Sequence, residues 1–354
     1  MLNIVDKALS QDISQVNVDW FGTMLVAGLL DYSRFDRAQE IHLFAKRWLV
    51  HHLRHQPELS DEEYARENGG AEGRVIRGYR IPIATYAGYF GLSFAAAKLY
   101  DIASVDEARQ LCVDVADCIL HHCARNTQGL VMHDDRPAGF TIPDVCYFVA
   151  PPLLQGARFS AAQGASFRRQ GEIQLKGFVD TFLDPELHIA RTILRNGSLG
   201  ETFWIRASGW LLWALVDSLE NLAPNAEQYS YLAEKLALFA QGLGAHQAAG
   251  GAFHVLMNEA DTPLETTGTA MIAYGLHKAV RLGWIDRGYC ERAEQAWRYV
   301  ESRILPDGNL TGCYSGWALP AEQRRMDFDR PMNWMPGLLL TSGSEMLRSV
   351  EGKV

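Results

Sequence analysis

Long apolar runs are missing from this sequence: no stretch of about 18 residues is apolar enough to span a bilayer, so no membrane helix is expected. Basic clusters are missing too. No run of Lys and Arg exceeds two, and the formal net charge is −9, which excludes the basic face that a nucleic-acid partner requires. Cysteine is sparse, six in 354 residues (Cys112, Cys118, Cys123, Cys146, Cys290, Cys313), and no CxxC occurs. These thiols read as small buried hydrophobes of a reducing compartment, not as a disulfide frame or a zinc site. Residues 1–7 lack a basic stretch followed by an apolar one, so no export signal is expected and the protein is read as cytoplasmic. Familiar catalytic signatures are also absent. There is no Gly-x-Ser-x-Gly elbow, and the glycine-rich stretch 68–73 lacks the Lys-Ser/Thr ending of a phosphate loop. His51-His52-Leu53-Arg54-His55 lacks the glutamate of the zinc-protease motif and, like His121-His122-Cys123, reads as a solvated helix end.

What is present is helical periodicity. Apolar residues recur at three- and four-residue spacing over 20–30, 37–53, 86–100, 105–122, 144–159, 171–182, 206–222, 228–243, 267–282, 289–304 and 334–347. A further helix can precede residue 20, and strand-like alternation is confined to short pieces such as 251–255. After every second helix stands a Gly- or Pro-marked turn, at 129, 185, 251 and 308, separated by roughly 56, 66 and 57 residues. Six hairpin units of about 59 residues fill the chain without a composition break, so 1–354 reads as one domain. Such hairpins either stack into an open solenoid or close into an all-α ring, an (α/α)6 barrel. The long loops and the aromatic residues near them favour the ring, which gathers the loops around one mouth.

Closure makes the unusual loop residues neighbours. His133, His188 and His254 each follow a turn; singly, each reads as readily as a loop or core histidine, and their recurrence in the repeat is what singles them out. Asp144 follows Pro143 at a helix start, where a carboxylate serves either as a cap, through the helix dipole and free N–H groups, or as an acid. Trp204, Arg206 and Trp210 fit ordinary packing and equally fit a sugar-binding floor, since sugar faces stack on indole and Arg grips a carboxylate with two N–H groups. Trp20, Thr266 and Trp334 stand at other helix starts and join them as candidate substrate contacts.

The segment 204–215, WIRASGWLLWAL, resembles the W-x-R-x-N-G-W helix start of the unsaturated rhamnogalacturonyl hydrolases, glycoside hydrolase family 105, with a similar version in the related family 88 unsaturated glucuronyl hydrolases. LETTGTAMIAYGL at 264–276 is similar to that family's L-E-T-S-A-T-A-M-F-A-Y-G-L, and the likeness extends over roughly residues 18 to 345. It implies an (α/α)6 barrel that needs no metal or organic cofactor and acts on a small unsaturated oligosaccharide such as a disaccharide. It also implies Asp144 as proton donor and water activator, Arg206 on the substrate carboxylate, His133 and His188 on hydroxyls, and Trp204 and Trp210 as platform. In the reaction it implies, C4 of a terminal 4,5-unsaturated uronate is protonated, water adds at C5, and the hemiketal collapses. Three departures bear on substrate and activity: Ile142-Pro143 where the family has Trp, Ser208 where it commonly has Asn, and no carboxylate in 79–99 where it usually has a second Asp. Another (α/α)6 enzyme, an epimerase or inverting glycosidase, and a non-catalytic sugar-binding relative are the other readings.

Overall fold

The computed structural model describes residues 1–55, 58–67, 73–76, 79–82, 87–133, 139–314 and 335–348. The chain begins with α1 (Leu2–Leu9), α2 (Trp20–Tyr32), α3 (Ala38–Val50) and the short α4 (Asp61–Glu67), then a hairpin of β1 (Gly73–Ile76) and β2 (Tyr79–Pro82). Next come α5 (Leu92–Ala103), α6 (Asp106–His122), β3 (Phe140–Thr141), α7 (Pro143–Phe159), α8 (Gly164–Phe182), β4 (Leu194–Arg195) and β5 (Ser198–Leu199). The remainder is α9 (Ile205–Asn221), α10 (Tyr229–His246), β6 (Phe253–His254), β7 (Leu264–Glu265), α11 (Thr266–Arg281), α12 (Tyr289–Glu301) and α13 (Met335–Met346).

The helices form an (α/α)6 barrel. α2, α5, α7, α9, α11 and α13 touch in that order, and α13 returns to α2, which closes the inner ring and rules out an open solenoid. The outer layer is α3, α6, α8, α10 and α12, completed by α1, which packs on α13 and α3. The sequence pattern explains the two layers. Every residue of α11 from Thr266 to Val280 is buried, as befits a helix enclosed on all sides. α12 buries only Cys290, Ala293, Ala296, Trp297 and Val300, a stripe at helical spacing that leaves the other face to solvent. At the closing seam the backbones nearly touch: a β-carbon on Gly28 would lie 2.5 Å from the Gly337 carbonyl oxygen, and one on Gly337 would lie 2.4 Å from the Leu25 nitrogen. No described helix is long and apolar enough to cross a membrane.

The repeating turn has a definite geometry. In three copies the first residue's N–H reaches the carbonyl four residues on, and a left-handed glycine's N–H bonds back: Asn126, Leu130 and Gly129; Ala248, Ala252 and Gly251; Leu305, Asn309 and Gly308. The copy at Asp184 is one residue longer, its N–H reaching Ile189, and there the left-handed position is held by His188, at φ 53°. His188 is thus the counterpart of Gly129, Gly251 and Gly308, not of His133 and His254. The expected equivalence of the three histidines is therefore corrected: they stand at different points of the repeat.

Other boundaries also shift. The helix expected over 86–100 opens as a 3-10 turn, Ala87–Gly91, and becomes α-helical at Leu92. Gly91 there lies against Thr23 and the Phe148 ring, where a β-carbon would sit at 2.9 and 3.0 Å. The helix expected from 171 starts at Gly164, because the polar residues 168–170 lie on its outer turns and mask the periodicity. The helix expected before residue 20 is α1. His51–His55 forms a π turn after α3, in which the His52 Nε2 lies 2.8 Å from the Val16 carbonyl oxygen, so that ring ties down a loop. All six cysteines are free thiols.

Candidate active site

The inner helices α7, α9 and α11 begin at the same end of the ring, each after one of the repeated turns. Asp144 is the second residue of α7 and Arg206 the second residue of the adjacent α9, so two like positions in the repeat carry opposite charges. Neither helix has a side-chain cap, since Ile142 and Trp204 fill the cap positions. Asp144 is half-buried, and its Oδ1 is fully enclosed with no hydrogen-bond partner among the described residues. Burial pushes its carboxyl up to about 7, against the pull of the Arg206 charge and of its own backbone N–H. A capping carboxylate would be satisfied at both oxygens and acidic; this one has an oxygen without a partner among the described residues and a raised pKa.

Arg206 is 6% exposed and heavily engaged. Nη1 donates to the Tyr314 carbonyl and lies 3.8 Å from Oε1 of Glu265, while the guanidinium sits over the Trp204 ring at 4.1 Å. Burial lowers its proton affinity below the ordinary guanidinium value, opposed first by Glu265 and then by Asp144. Glu265 caps α11. It is wholly buried, and its carboxylate accepts from Gly268 N at 2.6 Å, Thr267 Oγ1 at 2.5 Å and Tyr314 N at 3.2 Å. Sequence reasoning noted Glu265 only as part of a helix start. The missed signal was the residue type, because Glu is not among the preferred capping residues.

Trp210 lies below this cluster, 2% exposed, with ring contacts to Tyr147, Phe148 and Trp213 at 5.3, 5.3 and 5.7 Å. Expected in a sugar-binding floor, it packs in an aromatic layer that fills the axis. The half-buried Trp20 rests edge-on against it at 5.8 Å, at the start of α2, whose cap Asp19 accepts from Phe21 N and Gly22 N. Trp204 is 4% exposed with one face under Arg206, and its Nε1 is enclosed without a hydrogen-bond partner among the described residues.

The histidines disperse. His133 is half-buried and stacks on Phe140 at 4.6 Å in the loop before α7. His188 is half-buried, and its backbone packs on outer helix α10, where a β-carbon on Gly242 would meet the His188 carbonyl oxygen at 2.2 Å. Among the described residues no side-chain bond joins His188 to Asp144 or Arg206. His254 Nδ1 is held 2.5 Å from the Thr262 carbonyl oxygen. Thr266, expected at the substrate, is fully buried; its hydroxyl donates to Thr311 O at 2.8 Å and its N–H to Gly312 O at 2.9 Å. Its groups pin the turn after α12. Trp334 lies outside the described residues.

Beneath the aromatic layer, the far end of the axis is ionic. Lys278, 5% exposed, donates to Asp217 at 2.7 Å and Glu220 at 2.6 Å, and the Tyr274 hydroxyl donates to Asp217 at 2.6 Å. A cavity of about 300 Å³ opens at that end, and another of about 460 Å³ lies between α1, α2 and the turn at 308–310; neither is lined by Asp144 or Arg206.

Comparisons with known proteins agree with this architecture. The model of Glycosyl Hydrolase Family 88 matches residues 15–350. The unsaturated rhamnogalacturonyl hydrolase YesR of Bacillus subtilis is 21% identical over 262 residues, 71% of this chain and 74% of that protein. A possible member of the GH105 family from Klebsiella pneumoniae superposes with a TM-score of 0.81 at 17% identity, covering 98% of this chain and 91% of that one. The unsaturated glucuronyl hydrolase of Bacillus sp. GL1 superposes with a TM-score of 0.71 at 14% identity, covering 99% and 97%.

Proposed function

Because the chain belongs to glycosyl hydrolase family 88, we propose that it releases the 4,5-unsaturated uronic acid from the non-reducing end of lyase-generated oligosaccharides, of the unsaturated rhamnogalacturonyl type. The supporting observation is the state of this acid among the described residues. Asp144 has an enclosed oxygen without a hydrogen bond among the described residues, while the carboxylates of Glu265 and of Asp19, at two other inner-helix starts, are each occupied by three hydrogen bonds. Displacement at an anomeric carbon calls for two working carboxyl groups on opposite sides of the sugar. Hydration of a vinyl ether calls for one acid.

The steps follow from that. Asp144 as the neutral acid gives its proton to C4, and positive charge develops at C5, stabilised by the ring oxygen. Water attacks C5 and loses a proton to the Asp144 carboxylate, which restores the acid. The hemiketal opens to a ketone as the bond between C5 and the ring oxygen breaks and that oxygen takes up a proton. C1 is then a hemiacetal, which collapses to an aldehyde while its hydroxyl proton passes to the neighbouring sugar's oxygen as that sugar leaves. The uronate carboxylate is drawn to the starts of α7 and α9, where first-turn N–H groups without a side-chain cap and the Arg206 charge make the potential positive.

The test is a panel of unsaturated disaccharides, a uronyl–rhamnose and a uronyl–hexosamine among them, followed by loss of the enol-ether absorbance. Fastest loss on uronyl–rhamnose is expected. Cleavage of a saturated uronide with no loss on any unsaturated one would replace this reading with an ordinary inverting glycosidase.

A further inference from the structure

Arg206 stands between two carboxylates, and only one of them is needed free. Glu265 holds Nη1 at 3.8 Å, is itself fixed by Thr267, Gly268 and Tyr314, and is wholly buried. Asp144 Oδ1, whose carboxyl feels the same guanidinium, has no hydrogen-bond partner among the described residues. Two carboxylates compete for one cation, and the geometry assigns the ion pair to the residue that is rigidly capped.

We infer that Glu265 is a positioning residue: it retains the Arg206 guanidinium on the α11 side and so keeps Asp144 from being neutralised as a salt bridge, available to carry a proton. This rests on the reading of Asp144 as proton donor. Among the described residues, the other titratable groups at this end are placed as follows. Cys146 and Tyr147 follow Asp144 on α7; Tyr89, on the turn before α5, faces Asp19 of the α2 start; and His133 is stacked on Phe140. Cys313 and Tyr314, after α12, act on Arg206. On the outer wall His121 and His122 of α6 and Asp180 of α8 are exposed. Among the described residues, Arg206 is the charge that weighs on Asp144.

The experiment reads Asp144 directly, by its carboxyl ¹³C shift against pH in protein labelled at aspartate, with Asp144→Asn to identify the signal. In Glu265→Gln the amide oxygen still caps α11, but Arg206 is released toward Asp144, and the titration midpoint should fall by about one pH unit. Arg206→Gln should raise the midpoint. The double variant, which removes both buried charges together, should match Arg206→Gln, because Glu265 acts only through Arg206. If Glu265→Gln fails to fold, Glu265→Asp gives the same reading with a smaller downward shift. A midpoint unchanged in the Glu265 variants, or a Glu265→Gln effect that persists without Arg206, overturns the inference. Turnover on the unsaturated disaccharides separates the two ideas. With the proposed function in force, the falling limb of the rate profile of Glu265→Gln moves down with the titration. A wild-type enzyme that consumes none of them refutes the function while the titration still decides the role of Glu265.

Discussion

Asp144→Asn gives opposite answers for the two roles a carboxylate has at a helix start. As proton donor, its loss leaves the fold and substrate affinity intact and lowers kcat by at least about 10²-fold, since an amide transfers no proton at neutral pH. As a cap, Asn is an excellent replacement and turnover is unchanged. Stability supplies a second reading without substrate. The folded carboxyl sits at about 7, above its ordinary value of 3.8, so folding favours the protonated form. Stability from this group is full below about pH 4 and is lost as pH rises through about 7. Asp144→Asn is therefore expected to raise Tm at pH 8 and to leave it unchanged near pH 4, by thermal melts at both. The same sign governs catalysis: the rate of the wild type should fall as pH passes about 7, where the acid form disappears. His188 is a residue-scale case of a different kind. Three turns use glycine in the left-handed position and the fourth uses His188, at a cost of about 1 kcal/mol. His188→Gly should raise Tm slightly; a large rise in KM alongside it assigns the imidazole to the substrate, and unchanged kinetics assign it to the turn.

At the scale of elements, the sequence made the repeat visible because its marks are local. Glycines at 129, 251 and 308 take φ of 80°, 87° and 78°, and a residue type that tolerates such angles announces the turn without any knowledge of the fold. The extra residue of the Asp184 turn hides in a Pro-containing stretch, which is why the histidines seemed to align. Asp144 and Arg206 were legible because an acid and a guanidinium at helix starts suggest chemistry on their own. Glu265 also opens a helix and lies in the matched segment 264–276, but its bearing on Arg206 comes from a contact between helices that no local pattern announces. The seam between α2 and α13 was invisible for the same reason: Gly28 and Gly337 meet only in three dimensions. Gly337→Ala should force the backbones apart and cost about 1–3 kcal/mol or more, seen as a Tm lowered by several degrees. Gly250→Ala, with nothing within 4 Å, is the matched control and should melt like the wild type.

The whole molecule is a ring with a filled centre. Tyr147, Phe148, Trp210 and Trp213 are each at most 4% exposed across its axis, and the ionic cluster of Lys278, Asp217 and Glu220 lies beyond them. A tube lets a polymer thread through; a cup admits one tip. On the proposed function, a floor sealed in this way admits a chain only by its terminus and keeps internal linkages from Asp144. The trimmed end would then carry no second unsaturated residue, so each chain would be processed once. Consumption would be set by the number of ends and not by the mass of polymer: tenfold shorter oligosaccharides at equal weight would hold about tenfold more work, and solution viscosity should stay level throughout.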